Sequence, residues 1–274
     1  MRSRWLLLIQ LVWILGCESA PAPLPDSAAI LLQEATTALN ENAPGRAISL
    51  AEQAGQIAPG HPHPHFIPGQ AHYVSGNYTE ARRSWEMASR LEPENWVWLQ
   101  TLGDAAFQQA DYQASLDYYL RAIRIHPDAV SWHGAAGAYW EMGLTEDSWN
   151  ACHQALILDP DYAPAYISLA MIAEHGGELE EARNYVEQAL SLSPDNLASL
   201  LAAGRLARLS GNEDYAVSVL SKALEQVPGH PEILYNLAMA LLQAGKGEQA
   251  ATLLEALDTE KSLPNRLPPG HEVR

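Results

Sequence analysis

The sequence predicts an all-α protein made of repeated helix pairs, and three observations carry that expectation. Prolines recur at 59, 93, 127, 160, 194 and 228, in steps of 34, 34, 33, 34 and 34 residues. Small side chains fall at three fixed places within this period, and Gly or Asn at a fourth. The apolar residues, 47% of the chain, are dominated by Ala and Leu, which favour helix over strand. A period in the thirties is that of a helix-turn-helix repeat, each unit of which buries its apolar face only against its neighbours.

Placing the recurrent proline at repeat position 32 sets the register. Position 8 is then Ala35, Gly69, Gly103, Ala136, Ala170, Gly204 and Ala238. Position 20 is Ala47, Ala81, Ser115, Ser148, Ala182, Ala216 and Ala250, and position 27 is Ala54, Ala88, Ala122, Ala155, Ala189, Ala223 and Leu257. Small residues there let the first helix of a repeat (A), the second (B) and the next A approach closely. Larger residues such as Trp85, Leu102, Tyr119, Trp132, Leu169 and Leu237 fill the space between. Position 15 is Asn42, Gly76, Gly143, Gly177, Gly211 and Gly245, residues that accept the left-handed conformation ending a helix. The third repeat has Ala110 there, so its turn is expected to differ slightly. Proline at position 32 cannot continue helix B and fixes the turn into the next repeat. Cys152 falls in helix B of the fourth repeat and reads as a small packing residue.

These positions resemble the tetratricopeptide-repeat family over residues 28–257, in repeats near 28–61, 62–95, 96–128, 129–162, 163–196, 197–230 and 231–257. The resemblance implies a right-handed α-solenoid of about seven repeats, with positions 2, 5, 9 and 12 of each helix A facing a partner-binding groove. On this face lie Phe66, Gln70 and Tyr73; Gln100, Asp104 and Phe107; His133 and Trp140; Ile167 and Met171; Arg205 and Arg208; Tyr235 and Met239. Both Phe residues of the chain are among them. Aromatic side chains in a groove anchor a peptide or partner helix; the alternative for such rings is packing into the adjacent repeat. Gln100, Asp104 and Gly137 do not supply the Lys/Asn set of chaperone-tail binders. Arg205 and Arg208, three residues apart on one helix face, either receive an acidic group of a partner or pair with neighbouring carboxylates.

Before the repeats, Arg2 and Arg4 precede an apolar run from Trp5 to Leu15. The run is shorter than the roughly 20 residues of a membrane-spanning helix and reads as the core of a signal peptide, residues 1–16. Ile14-Leu15-Gly16-Cys17 resembles the lipobox of bacterial lipoproteins, which implies acylation of Cys17 after cleavage. Glu18 comes next, not the Asp that retains enterobacterial lipoproteins in the inner membrane, which points to the outer membrane facing the periplasm. Pro21, Pro23 and Pro25 give residues 17–27 the composition of an extended tether. Residues 258–274 read as a flexible tail. The resemblance thus extends to envelope tetratricopeptide-repeat lipoproteins, which include type IV pilus pilotins and adaptors for cell-wall hydrolases.

A formal charge of −17 disfavours nucleic acid as a partner. No phosphate loop, H-E-x-x-H or G-x-S-x-G occurs, so the chain is read as non-enzymatic and without a cofactor. His61, His63 and His65 form the single candidate metal cluster, but Pro62 and Pro64 are expected to hold them in an extended turn where the imidazoles do not converge. His126 and His153 read as surface residues. The functional expectation is a lipid-anchored scaffold that binds a protein or peptide in its groove. The alternatives are a periplasmic metal-binding protein or a homo-oligomer stacking through its last repeat.

Overall fold

A computed structural model describes residues 23–261, with side chains as far as 257. Cys17 and the signal segment lie outside these residues, as does the tail beyond 261. All regular structure among the described residues is helical, and the chain divides into two compact units, Met1–Asp159 and Pro160–Arg274.

The first unit holds four helix pairs: α1 (Asp26–Asn40) with α2 (Pro44–Ile57), α3 (His63–Val74) with α4 (Tyr78–Leu91), α5 (Trp96–Gln108) with α6 (Tyr112–Ile125), and α7 (Ala129–Glu141) with α8 (Thr145–Leu158). The second holds three: α9 (Ala163–His175) with α10 (Leu179–Leu192), α11 (Leu197–Leu209) with α12 (Glu213–Gln226), and α13 (Pro231–Gln243) with α14 (Gly247–Lys261). Within each unit every helix packs on the one before it.

The turn between A and B has one chemistry throughout. The position-15 residue adopts positive φ, and its N–H and that of the next residue bond back to the last turn of helix A; Gly143 donates to Trp140 and Leu144 to Tyr139. This double bond satisfies carbonyls that the helix end leaves open. Ala110 corrects the expectation of a different turn. It sits at φ 58° and makes the same pair of bonds, Ala110 to Phe107 and Asp111 to Ala106. The repeat geometry therefore holds an alanine where its Cβ is unfavourable.

Volume is traded inside each repeat between positions 8 and 24. Gly69 faces Trp85, Gly103 faces Tyr119 and Gly204 faces Leu220; a Cβ on Gly69 would lie 2.2 Å from Trp85 Nε1. Where position 8 is alanine, position 24 is Ala51, Cys152, Val186 or Leu254. Cys152 is fully buried and fills this slot, as expected of a packing residue. Close packing favours such exchanges, because an interior at crystal-like density has little slack for a methyl group; the seventh repeat, with Ala238 and Leu254, departs from the pattern. Where position 20 is serine, the hydroxyl donates to the position-8 carbonyl: Ser115 to Gly103 at 2.9 Å and Ser148 to Ala136 at 2.8 Å.

The edges depart from the expected boundaries. α1 starts at Asp26, and Leu24 packs on an alanine-rich core formed by Ala28, Ala35, Ala38, Ala47, Ala51 and Ala54. Residues 24–27 thus belong to the first repeat and not to the tether. At the other end α14 continues to Lys261, past the boundary placed at 257.

Candidate partner-binding faces

In the first unit two of the eight anticipated groove residues, Phe66 and Gln100, are buried in the fold. Phe66 is 9% exposed, its ring 4.4 Å from Trp98 of the next repeat and 6.2 Å from Trp85. Trp85 in turn donates its indole N–H to the Phe66 carbonyl at 3.0 Å. Gln100 is buried as well. Its amide donates to both Asp128 carboxylate oxygens at 3.0 and 3.1 Å and to Ser131 Oγ at 2.7 Å, tying α5 to the N-terminus of α7. Asp128 caps α7 by accepting from the Ser131 N–H. These two positions are structural, a correction to the reading that put them in the groove. The reason is that helix A of the next repeat covers position 5.

Asp104 is half-buried and accepts a hydrogen bond from the Tyr119 hydroxyl. Burial pushes its carboxyl up to about 6, and the Tyr119 hydrogen bond pulls in the opposite direction. Tyr73 is half-buried between Tyr78 and Trp85, at 5.3 and 5.5 Å between ring centres. Burial, and then the nearby Asp104 charge, push its phenol well above the usual range. Phe107 lies 3.5 Å from where a Cβ on Gly137 would be, and 5.3 Å from Tyr112. Gln70, His133 and Trp140 are half-buried. The surface this unit offers is thus the rims of Tyr73, Phe107 and Trp140 around a polar node at Asp104.

The second unit keeps its helix-A face open. Met171 is 41% exposed, Tyr235 51% and Leu242 46%, while Ile167 and Met239 are half-buried. Arg205 reaches from α11 to α9 and donates to Glu174 Oε2 at 2.7 Å. This is the pairing with a neighbouring carboxylate considered for the two arginines. Arg208 does not share it, and its side chain has no hydrogen-bond or ion-pair partner among the described residues.

A family model described as the cilia and flagella-associated protein 70 C-terminal domain, a tetratricopeptide-repeat region, matches residues 27–264. The chain belongs to this tetratricopeptide-repeat family. Among curated proteins, mouse sperm-associated antigen 1 is 30% identical over 80 residues, which is 29% of this chain and 9% of that protein. The match thus spans a small part of the relative's length. Among solved structures, PilF of Pseudomonas aeruginosa aligns with TM-score 0.64 at 17% identity, covering 77% of this chain and 96% of PilF. PilW, described as a widely conserved type IV pilus biogenesis factor, aligns with TM-score 0.67 at 17% identity, covering 78% of this chain and 99% of PilW. At such identities the shared property is the fold.

In this tetratricopeptide-repeat protein the histidine segment is helical, not an extended turn: Pro62 is in the right-handed region and α3 begins at His63. The imidazoles of His61 and His63 lie 4.9 Å apart, and His63 meets the Trp98 ring edge-on at 5.7 Å. Burial, with the neighbouring His61, lowers the His63 pKa to about 4. Among the described residues no three His, Cys, Asp or Glu side chains come together to hold a metal ion. His61 and His63 pack at the junction of the second and third repeats. His126 is exposed as expected, but His153 is half-buried with its ring centre 3.8 Å from that of Trp149.

The repeat register alone does not reveal the Gln100–Asp128–Ser131 node or the Tyr119–Asp104 bond. Asp128 three residues before Ser131 is a legible helix-start signal. Nothing in the linear sequence pairs Gln100 with it across an intervening helix B.

Proposed function

We propose that this chain is a non-catalytic adaptor that holds a partner protein or peptide on its helix-A faces while an acyl group at Cys17 anchors it in a bacterial envelope. The open apolar face of the second unit is the single observation that carries the binding half. Met171, Tyr235 and Leu242 expose large apolar surface on helices α9 and α13, and α11 between them carries the half-buried Arg208, a combination that marks interaction sites. The rims of Tyr73, Phe107 and Trp140 extend the reading to the first unit. Anchoring rests on the lipobox-like Leu15-Gly16-Cys17 and on Glu18, which favours the outer membrane facing the periplasm. Among the described residues no helix is long and apolar enough to cross a membrane. PilW has this fold and is described as a type IV pilus biogenesis factor, so an assembly role in an envelope complex is compatible with such a scaffold.

Two measurements test the two halves separately. Mass spectrometry of the mature N-terminal peptide should find Cys17 acylated and residues 1–16 absent; an unmodified Cys17 ends the anchoring half. Crosslinked co-purification from native membranes should capture a partner with wild type and lose it with Met171→Ala/Tyr235→Ala. Equal recovery from both would remove the second unit's face from the binding site.

A further inference from the structure

We propose that the helix-A face of the second unit takes an acidic peptide segment, with a carboxylate side chain seated on Arg208 of α11 and apolar residues reaching the exposed side chains of the flanking helices α9 and α13, Met171, Tyr235 and Leu242. This inference rests on the adaptor reading and names the chemistry of its partner.

The first consideration is charge. The chain has 33 acidic residues against 16 Lys and Arg, so two arginines on successive turns of one helix stand out from their surroundings. They are not equivalent. Arg205 is already neutralised: its Nη2 donates to Glu174 at 2.7 Å, and both side chains are largely covered. Arg208 sits one turn further along α11 and is half-buried. Its Nε is shielded from solvent and finds no acceptor, and no carboxylate pairs with its guanidinium among the described residues. Its terminal nitrogens, by contrast, are not enclosed. A guanidinium drawn partly out of water without a counter-charge is unfavourable, and an incoming carboxylate corrects that state. The planar fork of Arg also binds a carboxylate through two parallel hydrogen bonds, which fixes the orientation of the bound segment.

The surroundings define the rest of the ligand. Leu242 occupies in the seventh repeat the position that Arg208 occupies in the sixth, and is 46% exposed. Tyr235 and Met171 expose 51% and 41%. Exposed apolar side chains on α9 and α13, the two A helices that contact the helix of the cation, fit a segment that combines Asp or Glu with Leu, Phe or Met. A basic segment would meet Arg208 with like charge. Glu174 is occupied by Arg205.

The test is a selection of random 12-residue displayed peptides on the full chain, run in parallel on Arg208→Gln and Arg208→Glu, with binding of the winners measured by fluorescence anisotropy. The wild-type pool should be enriched in Asp and Glu over the input library, and its members should bind Arg208→Gln at least tenfold more weakly. Arg208→Glu should select Lys and Arg instead. Arg208→Lys, which keeps the charge and loses the fork, should retain the acidic preference at reduced affinity and serves where the Gln variant folds poorly. A pool without acidic enrichment, or winners that bind Arg208→Gln within twofold of wild type, overturns this proposal and leaves the adaptor reading intact. If wild type enriches no peptide over the bare support, both fall.

Discussion

Phe66 and Tyr235 occupy the same position, the fifth of helix A, in the second and seventh repeats. Phe66 is 9% exposed and Tyr235 51%. The difference lies not in the two side chains but in the next repeat along the chain. Beyond Phe66 stands Trp98, fully buried on the next helix A, and its ring closes over the phenylalanine at 4.4 Å. Beyond the repeat of Tyr235 there is no further helix pair among the described residues. Gln100, again at position 5, is covered in the same way as Phe66, by Asp128 and Ser131. A repeat position therefore does not by itself assign a residue to core or surface. The neighbour that stacks on it does, as expected of an architecture whose units contact chiefly the next ones along.

That contrast is open to direct attack by truncation. Phe66→Ala removes a buried ring from between two tryptophans and should cost about 3–5 kcal/mol of stability, read from urea denaturation. A loss below about 1 kcal/mol would mean that the first unit's face is not a core, and the comparison would fail at its strongest point. Because two units need not unfold together, the transition should be followed by tryptophan fluorescence, since every tryptophan among the described residues lies in the first unit.

Asp104 sharpens the contrast by pH. Its folded-state carboxyl is raised to about 6 by burial, above its unfolded value. The folded state then holds the proton more tightly than the unfolded chain, so the contribution of Asp104 falls as pH rises from about 4 to 6 and stays low above that. Asp104→Asn should be more stable than wild type at pH 7 by on the order of 2 kcal/mol, with the advantage gone by about pH 4. His63, lowered to about 4 chiefly by burial, works in the opposite direction: stability is lost as pH falls from about 6.5 toward 4. The two slopes oppose each other, so the check is the difference between variant and wild type at each pH. A difference independent of pH would show that Asp104 is not buried as a charge.

Ala110→Gly tests the turn chemistry common to both units. Ala110 holds φ 58° where five other repeats have glycine. Glycine relieves the steric cost but loosens the unfolded chain, so the net gain should be about 0.5–1 kcal/mol. A destabilised variant would mean that the repeat tolerates the alanine for a packing reason not visible in its turn.

Much of the fold is legible in the sequence, and the reason is local. Proline spacing, left-handed turn residues and the small residues at positions 8, 20 and 27 are properties of single positions, and a period exposes them. The Gly69–Trp85 and Gly103–Tyr119 exchanges are visible as residues but not as pairs, because the pairing runs from helix A to helix B. What the register does not decide is the fate of the helix-A face. Phe66, Gln100 and Asp104 depend on Trp98, Asp128 and Tyr119, partners on other elements. The histidines mislead for a related reason. Pro62 and Pro64 sit in and just before the first turn of α3, where proline suits a helix start, so the segment is helical and His63 turns inward against Trp98.

The smallest expected effect is the one that decides whether the second unit's face is a binding surface. Tyr235→Ala and Met171→Ala remove side chains that are half or nearly half exposed, and surface truncations of this kind change stability by no more than about 0.5 kcal/mol. The same truncations should lower partner or peptide capture severalfold, since a ring that contributes little to its own fold is free to contribute to an interface. Stability and binding thus separate here, whereas at Phe66 the expected effect is on stability. If Tyr235→Ala instead destabilised the protein by about 2 kcal/mol or more, something covers that ring in solution, and the open face would be an interface between parts of the same chain or between copies of it. Light scattering of wild type and Tyr235→Ala across protein concentration then distinguishes the two, because only contact between copies changes the mass.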